Sequence, residues 1–250
     1  MRRFAELLGT DFAGRPNSDV EQVVHEGLDE PRHRDRVPGL VALLHDASAP
    51  EWERLAACLA LTTWAEHAGF DAVLAAAADP KRAPWYDCLV DRRFSVDNTF
   101  AQLARAVFDA DVLAGEKGTS QRRVEAFRAL VGVADSEFFD DQLADSLDRM
   151  TVRAVLPEIE DTVTRGLAAI PGARFDLATQ LVDLAAAVAQ VDGAHAVRLA
   201  RDVLATGSSP RALFHATAIV HRSGGPEVRA FAAHLTAVGD DRVRKELGAG

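Results

Sequence analysis

The pattern that decides the fold is clearest in residues 37–80, which read VPGLVALLHDASAPEWERLAACLALTTWAEHAGFDAVLAAAADP. Apolar residues recur here three, four and seven positions apart, which places them on one face of a helix. Polar or glycine-containing breaks at 46–49 and 67–69 divide the stretch into three such segments. The stretch therefore predicts three consecutive helices joined by short loops.

The same spacing continues along the rest of the chain. It recurs in segments that begin at Phe100, Phe127, Val152 and Ala196. Residues 176–191 carry leucine and valine at alternating steps of four and three, which is typical of a helix packed in a seam. No alternating, strand-like pattern competes with it in the sequence. We therefore predict an essentially all-helical chain whose short loops make neighbouring helices antiparallel.

Composition and charge limit the class of protein. The 250 residues are 48% hydrophobic and 26% charged, which is the balance of a folded globular chain and excludes a disordered or fibrous one. The formal net charge is -10. A negative field of this kind disfavours nucleic acid and anionic lipid, and it favours a basic protein partner.

The cysteines and the longest apolar stretch bear on location. Cys58 and Cys88 are far apart, and neither belongs to a CxxC pair, which excludes a disulfide framework and a cysteine zinc site. The longest uncharged stretch, residues 55–65, is about half as long as a membrane helix needs to be. We therefore predict a cytoplasmic protein that makes no membrane contact.

Two parts of the chain are similar to each other. Residues 37–80 align with residues 196–240 after a one-position gap in a loop, with Leu55 matching Leu213 and Phe70 matching Val228. Each part reads as a helical unit of about 40 residues, the length expected of stacked helical repeats.

The first of these units resembles the HEAT-repeat family. It has a helix that contains Pro38 and ends in Asp46, then a helix of small residues, then a third that closes on Asp79 and Pro80. The resemblance implies that the family's arginine on the second helix corresponds to Arg54 here, and to Arg211 or Arg229 in the later unit. The resemblance covers about two thirds of the chain. It implies a right-handed α-solenoid of antiparallel helix pairs, with a concave groove that binds other macromolecules.

One segment interrupts the helical pattern for longer than a usual connection. Residues 79–97 contain two prolines and mixed charge, and loops of this length are uncommon inside compact domains. We predict a single HEAT-like domain over residues 1–250. Two lobes, 1–80 and 97–250, joined by a loop at 81–96, are the alternative organisation.

The same segment supplies the predicted partner-binding residues. Aromatic and arginine side chains on long loops dominate binding energy when they lose water. The alternative is that the aromatic rings fill a gap between two lobes while the arginines pair with nearby aspartates. The predicted binding residues are Trp85, Tyr86, Asp87, Arg92 and Arg93.

An acidic run offers a possible metal site. Residues 138–145, FFDDQLAD, resemble the aspartate-rich helix of class I terpene synthases, whose carboxylates hold magnesium against a diphosphate. Asp141 and Asp145 would share one helical face, and carboxylate oxygens suit magnesium. The second metal motif of that family is missing, and the helix dipole alone explains Asp140 and Asp141 near a helix start.

Other catalytic patterns are weak or missing in the sequence. His45 and Asp46 resemble the paired ligands of HD-type phosphohydrolases, although a helix ending at this point explains both. Nucleophile-elbow, Walker and dinucleotide-binding motifs do not occur in the sequence. We therefore assign no catalytic residue, no metal ligand and no cofactor from the sequence.

Two functional hypotheses follow. The first is a non-catalytic scaffold, or an inhibitor or immunity-type module, that recognises a basic protein partner through the solenoid groove. The second is a HEAT-like DNA glycosylase that acts on alkylated bases, with Trp52, Trp64 or Trp85 stacking on the base beside Asp87 or Asp91. The second requires a basic groove. Its arginines would be Arg92, Arg93, Arg122, Arg123, Arg149 and Arg153.

Overall fold

The chain is almost entirely helical, as the apolar spacing predicts. The computed structural model describes residues 2–91 and 96–248. These residues divide into two compact units, Met1–Ala129 and Leu130–Gly250. The described part of the segment 81–96, where the sequence indicated a connection between lobes, lies within the first unit.

The first unit is built from helices and one short hairpin. A 3₁₀ turn at Pro80–Arg82 follows the fifth helix, and the eighth helix continues past the boundary between the units. The elements are α1 Arg2–Leu7, α2 Val20–Asp29, α3 His33–Leu44, α4 Glu51–Thr63, α5 His67–Ala78, β1 Val90–Asp91, β2 Val96–Asp97, α6 Thr99–Asp109, α7 Asp111–Lys117 and α8 Ser120–Gly132.

Helix α4 is the centre of the first unit. It is apolar on nearly every side, and it packs against α2, α3, α5 and α6, as expected of a helix without a polar face. Trp64, which follows it, is completely buried. Its indole Nε1 donates to the carbonyl of Val24 at 2.8 Å, so the largest core side chain also has its polar atom paired.

The turn between α4 and α5 differs from the sequence-based expectation. The break expected at residues 67–69 lies earlier, at Trp64–Glu66, and α5 already begins at His67. Ala65 forms the turn in a left-handed conformation, with φ of 56°. Gly69 is inside α5, where it allows α5 to approach the backbone of α4. The glycine therefore serves close packing and is not part of the loop.

The segment after α5 contains the one sheet among the described residues. β1 and β2 pair antiparallel, with Val90 opposite Asp97 and Asp91 opposite Val96. Two residues in each strand are too few to show an alternating pattern in the sequence, so this hairpin was not predicted.

The second unit surrounds a fully buried helix. Every residue of α11 is buried, and α10, α12 and α13 all pack against it. This confirms the seam predicted from the spacing in residues 176–191. A 3₁₀ turn at Ile170–Gly172 follows α10. The helices are α9 Gln142–Asp145, α10 Arg149–Ala169, α11 Leu177–Val188, α12 Gly193–Thr206, α13 Pro210–Arg222, α14 Pro226–Val238 and α15 Asp241–Glu246.

Capping residues fix the helix starts in the second unit. The side chains of Asp176, Asp192 and Ser209 accept hydrogen bonds from backbone N–H groups in the first turns of α11, α12 and α13. These groups would otherwise have no helical partner. Across residues 2–91 and 96–248, none of the helices combines the length and apolarity needed to cross a bilayer.

Candidate functional site

A cleft in the second unit brings carboxylates from several helices together. It has a volume of about 330 Å3 and is lined by residues from α9, α11, α13 and α15, together with Asp141 just before α9. Helix α11 packs against α9 and α13, and α13 packs against α15. The lining includes small residues at Ala144, Ala186 and Ala218, which leave space that larger side chains would fill.

A buried acid and a half-buried imidazole pair with each other in the cleft. Asp183 is 8% exposed, and its Oδ1 lies 2.7 Å from Nδ1 of His215. The other carboxylate oxygen, Oδ2, is buried without a hydrogen-bond partner among the described residues. Because buried polar atoms are normally paired, Asp183 keeps an acceptor that a donor from outside the chain would satisfy.

The contact changes the proton affinity of both groups. Burial raises the pKa of Asp183 above 3.8, and the neighbouring His215 opposes that shift. The hydrogen bond to Asp183 raises the pKa of His215 above 6.5, and partial burial opposes this shift. The short contact to a carboxylate favours the imidazolium form of His215, because opposite charges at this distance stabilise each other.

The remaining lining of the cleft is acidic. Asp145 accepts a hydrogen bond from Arg222 at 3.0 Å, and Glu246 lies 3.2 Å from Nε2 of His221. Asp141 accepts only from the neighbouring Gln142 side chain, at 3.3 Å, in the described part of the chain. Apart from the Asp183–His215 pair, the lining therefore carries three carboxylates and one arginine.

This arrangement suits a cationic ligand. Carboxylates in a partly buried cleft bind ammonium and guanidinium groups through charge-assisted hydrogen bonds. The one hydroxyl of the lining, on Thr217, already donates to the carbonyl of Phe214 at 2.6 Å. Within the described ranges, no group of histidine, cysteine or acidic residues is arranged to hold a metal ion.

The pair at the floor of the cleft predicts a pH-dependent contribution to stability. The pKa of His215 is raised in the folded state. Its contribution to the free energy of unfolding is therefore fully present below pH 6.5 and is lost as the pH rises through the folded pKa. We expect the loss of stability caused by His215→Asn to be larger at about pH 5.5 than at about pH 8.5. Urea unfolding of both proteins at the two pH values measures this difference.

His234→Asn is the matched control for this experiment. His234 is exposed on α14 and stacks on Phe231, and no carboxylate partner is described for it. Its substitution is expected to have the same effect at both pH values. If His215→Asn lowers stability equally at both pH values, or more at the higher one, the Asp183–His215 pair does not stabilise the fold through a protonated His215.

The residues predicted from sequence to bind a partner lie elsewhere, in the first unit. Trp85 is 3% exposed, and its buried Nε1 has no partner among the described residues. Tyr86 is half-buried, and Asp87 is exposed with a φ of 60°. Arg92 and Arg93 lie outside the described residues. Their role in binding a partner stays a prediction.

Two of the tryptophans suggested for a glycosylase are enclosed by the protein. Trp64 is fully buried and Trp85 nearly so, which leaves neither with an open face on which a base could stack. Trp52 is 48% exposed and meets the edge of Phe4 with the ring centroids 4.5 Å apart. The glycosylase hypothesis gains no support from these positions.

Two of the arginines suggested for a glycosylase groove, both in the first unit, are also engaged. Arg122 pairs with Asp71 at 3.2 Å and with Glu125 at 3.1 Å. Arg123 is 5% exposed and donates to the carbonyl of Val107 at 2.9 Å. Side chains held in this way do not form the free basic surface that DNA binding requires.

The acidic run and the His45–Asp46 pair both have local roles. Only Gln142–Asp145 of the run is helical, and Asp140 before it has a left-handed backbone with φ of 52°. Asp141 is the N-cap of this short helix, and its carbonyl accepts from the backbone N–H of Asp145 at 3.0 Å. The two carboxylates therefore lie one helical turn apart, as expected, and both line the cleft. Helix α3 ends at Leu44, and Asp46 accepts hydrogen bonds from the Ser48 backbone and hydroxyl. His45 is the C-cap of α3, so the explanation of this pair by a helix end is confirmed.

Sequence reasoning missed the Asp183–His215 pair. Asp183 is the one charged residue in α11, which is otherwise apolar except for Thr179 and Gln180. A lone carboxylate in a helix of this kind signals a buried partner. The partner is 32 positions away, and sequence spacing alone does not identify it.

Comparison with known proteins identifies no similar protein. The chain matches no protein-family model, no curated protein and no solved structure. The class of protein is therefore argued from its helical fold and from the acidic cleft.

Proposed function

We propose that this protein is a non-catalytic binding module that recognises a basic protein partner, and that the acidic cleft of the second unit contacts lysine or arginine side chains of that partner. A module that masks a basic protein, as an inhibitor does, is one form of this function. The proposal includes the HEAT-like solenoid arrangement indicated by residues 37–80 and the binding role predicted for Trp85, Tyr86 and Asp87.

One observation carries the proposal. Asp183 is buried in a cleft with an unused acceptor oxygen, and the surrounding lining contains more carboxylates than cationic groups. A positively charged side chain that enters this cleft would gain charge-assisted hydrogen bonds in a region where water screens them less. The net charge of -10 would also speed the approach of a basic partner.

A charged peptide tests the proposal directly. Fluorescence anisotropy with a labelled hexa-arginine peptide is expected to show binding at low salt, and a hexa-glutamate peptide is expected not to bind. The double variant Asp141→Asn, Asp183→Asn is expected to weaken binding about tenfold, which corresponds to about 1.4 kcal/mol. Thermal unfolding of the variant shows whether it keeps its fold.

The control removes a charge elsewhere in the same unit. Asp161 is an exposed carboxylate on α10, outside the cleft. Asp161→Asn removes one negative charge, and the double variant removes two. If attraction to the whole acidic surface explained the binding, the loss of binding free energy for Asp161→Asn would be half that for the double variant. That result, or hexa-arginine that does not bind at all, would rule out the cleft as the recognition site.

A further inference from the structure

A second cavity lies wholly within the first unit. It has a volume of about 240 Å3 and is lined by residues of α2, α4 and α6, together with Leu89. Helices α2 and α6 both pack on α4. Ala56 and Leu59 of α4 line the cavity and are half-exposed, although their neighbours on the same helix are buried. The cavity is therefore a groove whose floor is α4.

One polar side chain in this groove lacks a partner. Thr63 is 3% exposed and lines the cavity, and no hydrogen bond of its hydroxyl occurs among the described residues. The adjacent Thr62 shows the usual arrangement in a helix, because its hydroxyl donates to the carbonyl of Cys58 at 2.8 Å. The Thr63 hydroxyl is not among the polar atoms that are sealed from solvent without a partner, so it is open to the groove that Thr63 lines and is free to pair with a polar group of a bound molecule.

Three of the four titratable residues that line the groove are paired with one another. Asp109 is largely buried, and its carboxylate accepts from Arg105 Nε at 3.0 Å and lies 3.2 Å from His25 Nε2. Glu21, the other acidic residue of the lining, is exposed to solvent. A charged group buried beside Thr63 would lose its water without gaining a free opposite charge. The groove therefore favours an uncharged ligand.

We infer that this groove binds a small uncharged amphipathic molecule, with its apolar body against Val20, Val24 and Leu59 and its hydroxyl or amide group at Thr63. A cavity of about 150 Å3 lined by apolar side chains accommodates a benzene ring. The larger volume found here leaves room for a ring with a short polar side chain. This site lies in the first unit and does not depend on the function proposed for the acidic cleft.

Three probes of nearly the same size separate the possible ligand chemistries. Phenethyl alcohol, phenethylamine and phenylacetate differ chiefly in the charge of the polar group. Ligand-observed NMR is expected to show that the alcohol binds with a Kd of about 1 mM or below. Both charged probes are expected to bind at least about tenfold more weakly, because burying their charge is unfavourable. Methyl signals of Val20, Val24 and Leu59 should shift with the alcohol.

Variants locate the probe within the groove. Ala56→Leu fills the space and is expected to abolish binding, whereas Ala78→Leu, on an exposed position of α5, is expected to leave it unchanged. Thr63→Val keeps the shape but removes the hydroxyl, and it is expected to weaken binding of the alcohol about fivefold. Circular dichroism shows whether each variant folds.

Specific results would overturn the inference. Stronger binding of either charged probe would contradict the uncharged ligand class. Unchanged binding of the alcohol to folded Ala56→Leu and Thr63→Val would place it outside the groove. If only methyl signals of residues away from the cavity shift, the alcohol also binds outside the groove, and this result does not depend on any variant.

Discussion

Gly69→Ala is expected to destabilise the first unit by about 3 kcal/mol, which lowers its midpoint of thermal unfolding by about 10 °C. A Cβ atom at this position would overlap the backbone nitrogen of Thr62 and would lie 2.7 Å from the Thr62 Cα. Backbone atoms inside α4 cannot move aside as the end of a flexible side chain can. The two helices would have to separate and lose the close packing around Phe70.

At a second glycine of the same unit, substitution by alanine is expected to stabilise the protein instead of destabilising it. Gly115 is exposed in α7, and an added Cβ would meet nothing within 4 Å. Gly115→Ala is expected to raise stability by about 0.5 to 1 kcal/mol, since alanine loses less backbone freedom on folding. Thermal and urea unfolding of both variants test the pair. Equal stability of the two would show that α4 and α5 do not approach as closely as the structure has them.

The helical fold could be predicted because its signal is local. The buried residues of α5 and α6 recur at the spacing of one helix face, and any stretch of a dozen residues reveals this. The role of Gly69 could not be predicted, because glycine marks turns and close contacts alike. Only the neighbouring backbone of Thr62 distinguishes the two.

The candidate site was less predictable than the helices, because its residues are brought together only by tertiary packing. The aromatic and arginine residues near Trp85 stand out in the sequence, but their exposure depends on how the chain folds around them, and Trp85 is buried. The acidic cleft consists of residues that are unremarkable one by one. Asp141, Asp183 and Glu246 come from separate segments, so only tertiary packing brings them together.

Gln180→Met is expected to destabilise the second unit by about 3 to 5 kcal/mol, the largest effect predicted for this protein. Gln180 is 3% exposed. Its Oε1 accepts from the backbone N–H of Phe139 at 2.7 Å, and its Nε2 donates to the carbonyls of Ala134 and Glu137 at 2.7 and 2.9 Å. Methionine has a similar volume but makes none of these bonds. Each buried backbone group left unpaired costs about 1 to 3 kcal/mol.

The matched control removes one bond of the same type. Gln190 is half-buried and donates a single hydrogen bond to the carbonyl of Leu147 at 2.9 Å, so Gln190→Met is expected to cost about 1 kcal/mol. Gln180→Glu keeps the acceptor for Phe139 but places a buried carboxylate against the carbonyls of Ala134 and Glu137, so it is expected to cost as much as Gln180→Met. Urea unfolding measures all three variants. A loss for Gln180→Met no greater than that for Gln190→Met would contradict the prediction.

The effect of Gln180→Met should also reach the cleft. The backbone that Gln180 holds leads directly into Asp140 and Asp141, and Asp141 lines the cleft. When the three bonds are lost, hydrogen exchange of peptides that cover residues 134–146 should become faster than in Gln190→Met, and affinity for the hexa-arginine peptide should fall. If exchange becomes faster without a change in affinity, Asp141 does not contribute to binding. The cation would then depend on the Asp183–His215 pair and on the carboxylates of α9 and α15.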